Sequence, residues 1–366
     1  MEKKVRMTFV AHWVEPWNWL LWFIPMLHRK PEQRWYWVFL APVYHLMSLV
    51  YLFGHKPFDV VDSFHFNGSL EGKTILIRNF AWHFSWLGNY EKIRQRILEA
   101  VLAAQESSDV IGLGALTKAE WITSGGEWIV KRLGSRLKVP IVHGDTLTAA
   151  AVIEAAKVII RQRGIKQVFL TGASSKIGRA VALSLAQSGV RVKMFTQDYH
   201  RFSSIQAEAR PPERPLLEWA TDFENGRDCL FWITGKALFK GKRFLKYVPK
   251  ESVILNFSVP NPFTPKDLRN RPDVKAIEGG LLAYDEARTD LSFTMRLSPG
   301  LTYACHAGTM VHARMGWTDH EVGQVELEKI PAVWAAARKL GFYLPREVAE
   351  ATIAVADEAI RPVVHL

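Results

Sequence analysis

Cysteine is scarce in this sequence, and several common signatures are absent. The 366 residues include only two cysteines, too few for a disulfide framework, so we expect reduced thiols. There are no internal repeats or low-complexity tracts. The net charge of +11 favours an anionic partner. Because no nucleic-acid-binding motif accompanies that charge, we expect membrane lipid or a phosphorylated cofactor or carrier, and no nucleic acid.

Formal charge is missing from the 21 residues between Trp35 and His55. A bilayer core needs roughly 20 apolar residues, so this stretch is long enough to span one. Basic residues flank it, and aromatic residues suited to a membrane interface begin it. We expect residues 1–56 to associate with a membrane, spanning it or lying on it, with the catalytic part facing the cytoplasm. A hydrophobic hairpin packed on the rest of the protein is the alternative.

From residue 74 onward, apolar runs alternate with amphipathic segments, which predicts a parallel α/β sheet. A turn capped by Ser298 is expected to lead into a helix that contains Cys305. The predicted strands are 74–80, 109–116, 229–234, 252–258 and 274–280, and the predicted helices are 89–107 and 117–136, the second broken at Gly125-Gly126.

A glycine-containing loop follows an apolar strand and opens a helix in "VFLTGASSKIGRAVALSL". Gly172 allows a tight turn, and Gly178 lets the helix pack closely on the strand. The N–H groups at the helix start suit a pyrophosphate, although Lys176 replaces the middle glycine of the fingerprint. A degenerate loop that binds nothing is the alternative. The predicted cofactor loop is Thr171, Gly172, Ala173, Ser174, Ser175, Lys176, Ile177 and Gly178.

The end of the next strand bears on the choice of cofactor. Thr196 and Gln197 stand where an NAD enzyme usually places a carboxylate for the ribose 2′-hydroxyl. Lys176, His200 and Arg201 could instead meet a 2′-phosphate, although Asp198 complicates this choice. We expect NADPH as the cofactor. The loop resembles that of short-chain dehydrogenases, but no Tyr has a Lys four residues later, so any hydride chemistry must be organised differently.

Cys305, within "YACHAG", admits two interpretations. As a nucleophile it would lie near a helix start, where the dipole favours a thiolate, with His312 seven residues on along the same face. Tyr303 and His306 could donate to a developing oxyanion. As a structural residue it would be a small buried hydrophobe, which composition alone favours.

Other polar positions could line the same site. Asn256 ends a predicted strand where ligands bind in such folds, and Gly279-Gly280 ends the next and allows close approach to a nicotinamide. A polar turn precedes the long helix, and it could hold substrate or serve only to cap that helix. Its members are His143, Asp145, Thr146 and Thr148. We expect Cys229 to be a core residue and no metal site to be present.

Three quoted segments together carry a family resemblance. "VPIVHGDTLTAAAVI", "QVFLTGASSKIGRAVALSLAQSGVRVKMFT" and "ACHAGTMVHARMGWTDHEVG" resemble the C-terminal domain of plant very-long-chain aldehyde decarbonylases, the eceriferum/glossy wax-biosynthesis family. The chain is also similar, more distantly, to cyanobacterial long-chain acyl-ACP reductases. That second resemblance implies that Cys305 carries the acyl group and that the Gly172–Gly178 loop holds NADPH.

The resemblance implies an architecture and a reaction. We expect a Rossmann-like parallel-sheet domain (151–285) inserted in a second α/β domain that carries substrate (57–150 and 286–366). The implied function is NADPH-dependent reduction of a long-chain acyl thioester, on CoA or acyl carrier protein, to an aldehyde through Cys305. The alternative is a non-catalytic or cofactor-binding subunit of a wax- or alkane-forming complex with a separate di-iron aldehyde decarbonylase.

Two departures from the family bear on these expectations. The plant proteins carry histidine boxes for a di-iron centre, and the 12 histidines here are scattered with no H-x-x-H-H spacing. The chain is therefore not expected to perform the oxygen-dependent aldehyde-to-alkane step alone. Met315 precedes Gly316-Trp317 where relatives tend to have Glu, which puts an acid/base role at that position in doubt.

Overall fold

The structure is a computed structural model that divides into two compact units. It describes residues 4–13, 42–43, 46, 49–51, 53–86, 89–235, 242–259, 261–289, 291 and 297–350. The first unit comprises Met1–Gly144, Glu286–Met295 and Thr309–Gly323, and the second comprises Asp145–Asp285, Arg296–Gly308 and Gln324–Leu366. The bounds predicted from the sequence, 151–285 for the Rossmann-like domain and 57–150 with 286–366 for the second domain, stay a prediction.

The first unit contains a five-stranded sheet of order β2-β3-β1-β4-β5. β2 runs antiparallel to β3, and the other neighbours are parallel. The strands are β1 (Val5–Trp13), β2 (Phe58–Phe66), β3 (Leu70–Phe80), β4 (Val110–Leu113) and β5 (Ile141–Val142).

Helices accompany this sheet, and residues 42–43, 46, 49–51 and 53 are also in helical conformation. The longest is α2, whose N-cap Asn89 accepts a hydrogen bond from the Lys92 backbone N–H at 3.1 Å. Its apolar residues recur at helical spacing and are buried with those of β1, β3 and β4 in one core. The helices are α1 (His83–Trp86), α2 (Tyr90–Gln105), α3 (Glu120–Thr123) and α4 (Glu127–Leu133).

The position of β1 differs from the sequence prediction. Val5–Trp13 was placed within the membrane-associating segment, yet it forms the central strand of the first sheet and is buried from Met7 to Trp13. A central parallel strand is covered on both faces, so its sequence is mostly apolar and resembles the segment that follows. Residues 14–41 lie outside the described residues. Among those described, no helix is long and apolar enough to cross a bilayer.

The second unit is built on a six-stranded parallel sheet of order β11-β10-β9-β6-β7-β8. Numbered from the first strand of this sheet, the order is 3-2-1-4-5-6, that of dinucleotide-binding Rossmann folds. The strands are β6 (Gln167–Thr171), β7 (Arg191–Phe195), β8 (Leu217–Ala220), β9 (Phe231–Thr234), β10 (Val253–Asn256) and β11 (Lys275–Glu278).

Helices and a small antiparallel pair complete the second unit. The pair is β12 (Leu281–Ala283) with β13 (Leu301–Tyr303). Cys229 is fully buried in the core of this unit, which confirms the sequence expectation, and burial raises its pKa to about 12. The helices are α5 (Asp145–Arg163), α6 (Lys176–Gln187), α7 (Tyr199–Glu208), α8 (Lys242–Leu245), α9 (Pro265–Arg269), α10 (Ala304–Met315), α11 (Ile330–Lys339) and α12 (Arg346–Ala349). Of α10, residues up to Gly308 belong to this unit and residues from Thr309 to the first unit.

The start of α10 corrects one local prediction. Ser298 was expected to cap this helix, but its carbonyl closes a turn to Leu301 and the chain then forms β13. The helix begins only at Ala304, whose backbone N–H donates to the Gly280 carbonyl at 2.9 Å. β13 was missed because three residues are too few to show strand periodicity.

Candidate functional site

The glycine loop joins β6 to α6 in the second unit, as the sequence predicted. Gly172 has φ of +69°, a left-handed conformation that favours glycine. A Cβ on Gly178 would lie 2.1 Å from the Gly172 carbonyl oxygen, so the first turn of α6 is packed against the loop. Ser175 caps α6 by accepting from the Gly178 N–H at 3.1 Å. This close-packed helix start fits the pyrophosphate of a dinucleotide.

Lys176 takes the middle position of the fingerprint and has a specific partner. Its ammonium lies 2.8 Å from the Asp145 carboxylate, and both side chains are largely buried. Asp145 is the first residue of α5 and Lys176 the first of α6. A carboxylate suits a helix N-terminus and an ammonium does not, so Asp145 offsets the unfavourable position of Lys176. Sequence spacing gave no indication of this pair.

β7 ends without an acidic residue that could bind a ribose 2′-hydroxyl. Thr196 accepts the Asp198 backbone N–H on its hydroxyl at 3.2 Å. Asp198 caps α7 by accepting the Arg201 backbone N–H at 3.1 Å, and it also lies 3.6 Å from the Arg201 guanidinium. Both Arg201 and Lys176 therefore have carboxylate neighbours. Their predicted role toward a 2′-phosphate stays a prediction.

A buried polar network lies at the carboxyl ends of β9 and β10. The Thr234 hydroxyl donates to Asn256 Oδ1 at 3.0 Å, and the Ser258 N–H donates to the same oxygen at 3.2 Å. These two donors fix which end of the Asn256 amide is the oxygen. Asn256 was predicted as a cofactor residue, and the network orients its NH₂ toward β11.

Glu278, at the end of β11, is a site residue that sequence reasoning missed. Its Oε2 accepts from Asn256 Nδ2 at 3.0 Å, and its Oε1 accepts from Asn261 Nδ2. Burial of the carboxyl group raises the pKa of Glu278 to about 7, against the opposing effect of the two amide donors. The available signal was a glutamate that ends an apolar strand directly before Gly279-Gly280.

The two glycines after Glu278 connect this network to α10. The Gly279 N–H donates to the Asn256 carbonyl at 2.6 Å, and a Cβ on Gly279 would lie 2.8 Å from Leu255 Cγ. The Gly280 carbonyl accepts the Ala304 N–H. The close approach predicted at these glycines is thus made by other segments of the same chain, namely β10 and the start of α10. Their predicted contact with a nicotinamide remains a prediction.

The predicted catalytic residues lie at or near the start of α10. Tyr303 ends β13, and Cys305 and His306 are in the first turn of the helix. His306 is buried, with Nδ1 3.3 Å from the Thr302 hydroxyl, and burial lowers its pKa to about 3. It is therefore neutral at physiological pH. His312 shares the helical face of Cys305 but stands two turns away, about 10 Å along the axis, too far for direct proton exchange.

The predicted polar turn is divided between the two units. His143 belongs to the first unit, where its Nδ1 lies 2.9 Å from the Glu321 carboxylate and its carbonyl accepts Lys118 Nζ at 2.7 Å. Asp145 begins α5 in the second unit, and Thr146 and Thr148 are buried in that helix. The substrate role predicted for these four residues stays a prediction.

The strand order, the glycine loop and the packed start of α6 define the second unit as a Rossmann-type nucleotide-binding fold. Residues 168–344 match the family described as CER1-like, C-terminal domain, and these residues belong to that family. This match confirms the resemblance read from the sequence.

The relatives include named plant proteins. Very-long-chain aldehyde decarbonylase GL1-1 of Oryza sativa is 33% identical over 314 residues, which cover 83% of this chain and 47% of that protein. GL1-2 of the same species is 36% identical over 256 residues, 68% of this chain and 38% of that protein. Protein CER1-like 2 of Arabidopsis thaliana is 28% identical over 314 residues, 81% and 47% respectively. The chain spans about half the length of these relatives or less.

Solved structures give weaker likenesses. L-tryptophan dehydrogenase from Nostoc punctiforme has a TM-score of 0.39 at 9% identity, covering 92% of this chain and 80% of that one. D-arabinose dehydrogenase from Sulfolobus solfataricus has a TM-score of 0.28 at 10% identity, covering 37% and 44%. At these scores the comparison adds nothing to the fold, which rests on the strand order.

The names of the relatives overturn the function implied by the distant resemblance. They describe decarbonylases, for which a very-long-chain aldehyde is the substrate. In the predicted acyl-thioester reduction an aldehyde is the product, so that prediction is wrong. The alternative of a non-catalytic complex subunit is not supported either, because the names are those of enzymes. The Cys305 thioester belonged to that reaction, and the catalytic role predicted for Cys305, His306, His312 and Tyr303 stays a prediction.

Proposed function

We propose that this chain is an enzyme of very-long-chain aldehyde metabolism that binds a nicotinamide dinucleotide at the carboxyl edge of β6, β9, β10 and β11. The observation that carries the proposal is the Rossmann strand order with a close-packed glycine loop, inside a domain of a family whose curated relatives are named for very-long-chain aldehydes. When bound, the dinucleotide would supply hydride transfer.

Different parts of the second unit would bind the two ends of the cofactor. The first turn of α6 would hold the pyrophosphate, with the close approach of Gly178 to Gly172 setting its distance from β6. Asn256 and Glu278 would face the reacting end of the cofactor, because the fourth to sixth strands of this fold lie on that side. We further propose NADPH as the form bound.

The substrate class is tested by product analysis. We expect the purified chain with NADPH to consume a long saturated aldehyde, with the primary alcohol appearing at the same rate as NADPH oxidation. Gas chromatography of the extracted lipids measures both. An alkane one carbon shorter than the aldehyde would instead assign this chain the reaction in its relatives' names. If the aldehyde were left unchanged with and without NADPH, the proposal would be contradicted.

Cofactor binding is tested through the Lys176–Asp145 pair. Lys176→Met should weaken NADPH binding roughly tenfold to a hundredfold, because it removes an ammonium beside the pyrophosphate position. Asp145→Asn should strengthen binding, because it leaves the charge of Lys176 unneutralised. Quenching of protein fluorescence measures both constants. Lys166→Met, on an exposed residue before β6, is the matched control and should bind as the wild type does. Equal affinities in all three variants would remove Lys176 from the site.

We also propose that the chain works at a membrane surface. Val43, Leu46, Val50 and Phe53 are in helical conformation at spacings of three, four and three residues and are 45–71% exposed. This spacing places them on one apolar face, which supports contact with lipid. Co-sedimentation with phospholipid vesicles tests the idea, and a protein that stays wholly in the supernatant would contradict it.

A further inference from the structure

The Glu278 carboxyl group is held in one orientation by its neighbours. Asn256 has its oxygen committed to Thr234 and Ser258, so only its NH₂ can face Glu278. Asn261 is oriented in the same way, because its Oδ1 accepts the Phe263 N–H at 2.8 Å and its NH₂ is left for Glu278. Each carboxyl oxygen of Glu278 therefore accepts from an amide NH₂. Neither amide can rotate to present its oxygen instead without losing its other hydrogen bonds.

This arrangement stabilises the carboxylate and opposes the acid. An ionised carboxylate accepts at both oxygens, whereas a protonated one must place its O–H toward one of the two amide donors. Burial acts in the opposite direction, since it disfavours the charge. Burial is the larger of the two effects, and the resulting pKa of about 7 allows either form at physiological pH. A group that exchanges protons in a reaction needs a pKa near the working pH.

The position of Glu278 places it where chemistry occurs in this fold. It ends β11, next to Asn256 at the end of β10 and Thr234 at the end of β9. These are the carboxyl ends of neighbouring parallel strands, where Rossmann folds bind the reacting part of the cofactor and the substrate. Within the described residues no ion pair involves Glu278, so the two amides and burial govern its ionisation.

We propose that Glu278 exchanges a proton with the carbonyl oxygen of the aldehyde, an inference that rests on the proposed function. When bound, a reduced nicotinamide dinucleotide would supply the hydride for the new C–H bond, and the carbonyl π bond would break. The O–H bond of Glu278 breaks as an O–H bond forms on the substrate. The product is a primary alcohol, and Glu278 remains as the carboxylate that Asn256 and Asn261 stabilise. Water then returns the proton.

The first measurement needs neither cofactor nor substrate. Difference infrared spectra of the protein, recorded from pH 5 to pH 9, should show a protonated-carboxyl band that disappears with a midpoint near pH 7. The band should be missing from Glu278→Gln. It should persist unchanged in Glu251→Gln, a matched change at an exposed glutamate of the same unit.

The second measurement is the rate of aldehyde reduction against pH. In the wild type the rate should fall as pH rises through 7, because the acid form donates the proton. Glu278→Gln should slow reduction about a hundredfold or more, lose the pH step and bind NADPH within threefold of the wild type. Asn261→Leu should move the step to higher pH, because removing a donor to the carboxylate raises its pKa. A merely structural glutamate would not produce that displacement.

The outcomes separate this inference from the proposed function. A pH step retained in Glu278→Gln, or a step that Asn261→Leu does not move, would overturn the role of Glu278 and leave the aldehyde activity standing. A wild type that binds no NADPH would overturn the proposed function and with it the transfer to substrate. The infrared titration would still decide whether Glu278 holds a proton near neutral pH, and no band at pH 5 to 7 would overturn the inference by itself.

Discussion

Replacing Gly178 by alanine is expected to abolish NADPH binding and to destabilise the second unit. The new Cβ would lie 2.1 Å from the Gly172 carbonyl oxygen and 2.9 Å from Ala173 Cα. Both neighbours are backbone atoms, so the first turn of α6 must move off the loop. The overpacking should cost about 1–3 kcal/mol, and the shift would carry the helix N–H groups away from the pyrophosphate position. Urea unfolding and a fluorescence titration with NADPH measure the two effects.

The control for this change is Gly164→Ala. Gly164 also belongs to the second unit and has φ of +62°, but a Cβ there would touch nothing within 4 Å. The left-handed backbone makes that variant less stable by about 1 kcal/mol, with binding unchanged. If Gly178→Ala bound NADPH as well as Gly164→Ala does, the loop would not be the cofactor site.

Acid is expected to destabilise this protein through histidines that are buried in the neutral form. Burial lowers the pKa of His306 to about 3, and the pKa values of His12 and His83 to about 4, from an ordinary 6.5. Each folded-state pKa is below the unfolded value. The stability is therefore fully present above pH 6.5 and is lost as pH falls toward the folded pKa. Between pH 7.5 and pH 5 each histidine should cost about 2 kcal/mol.

The variant His306→Gln isolates one of these contributions. It keeps a polar group near the Thr302 hydroxyl but cannot titrate, so the loss of unfolding free energy between pH 7.5 and pH 5 should shrink by about 2 kcal/mol. Urea unfolding at both values measures the difference. His65→Gln, at an exposed histidine, should leave the loss at its wild-type size. An undiminished loss in His306→Gln would show that His306 takes up a proton in the folded state.

The parts of the fold predicted from the sequence were those with strong local signals. β6, the glycine loop and α6 follow one another in the chain, and each carries its own periodicity or turn residue. The strands 229–234, 252–258 and 274–280 were visible as apolar runs, and β9, β10 and β11 lie within them. Local pattern was sufficient there because a buried parallel strand reads as a nearly continuous apolar run.

The parts that were missed depend on contacts between distant residues. From the sequence, Lys176 was read as a residue that binds a cofactor phosphate. Its carboxylate partner, Asp145, is 31 positions earlier in the chain, so no local pattern predicts the pair. Glu278 is a single polar residue whose importance comes from Asn256 and Asn261 beside it in space. β1 was read with the hydrophobic segment that follows, since a covered central strand and a lipid-facing segment have similar composition.

The place of β1 in the first sheet has a consequence for folding during synthesis. β1 leaves the ribosome before its partner strands, yet it lies between β3 and β4, with Val5 paired to Leu70 and Met7 to Val110. Until those partners emerge, both backbone edges of the nascent strand and its apolar side chains are uncovered. Such long-range pairing slows folding and prolongs the time during which chains can aggregate. We therefore expect shielding of β1 by a chaperone over that interval to reduce aggregation.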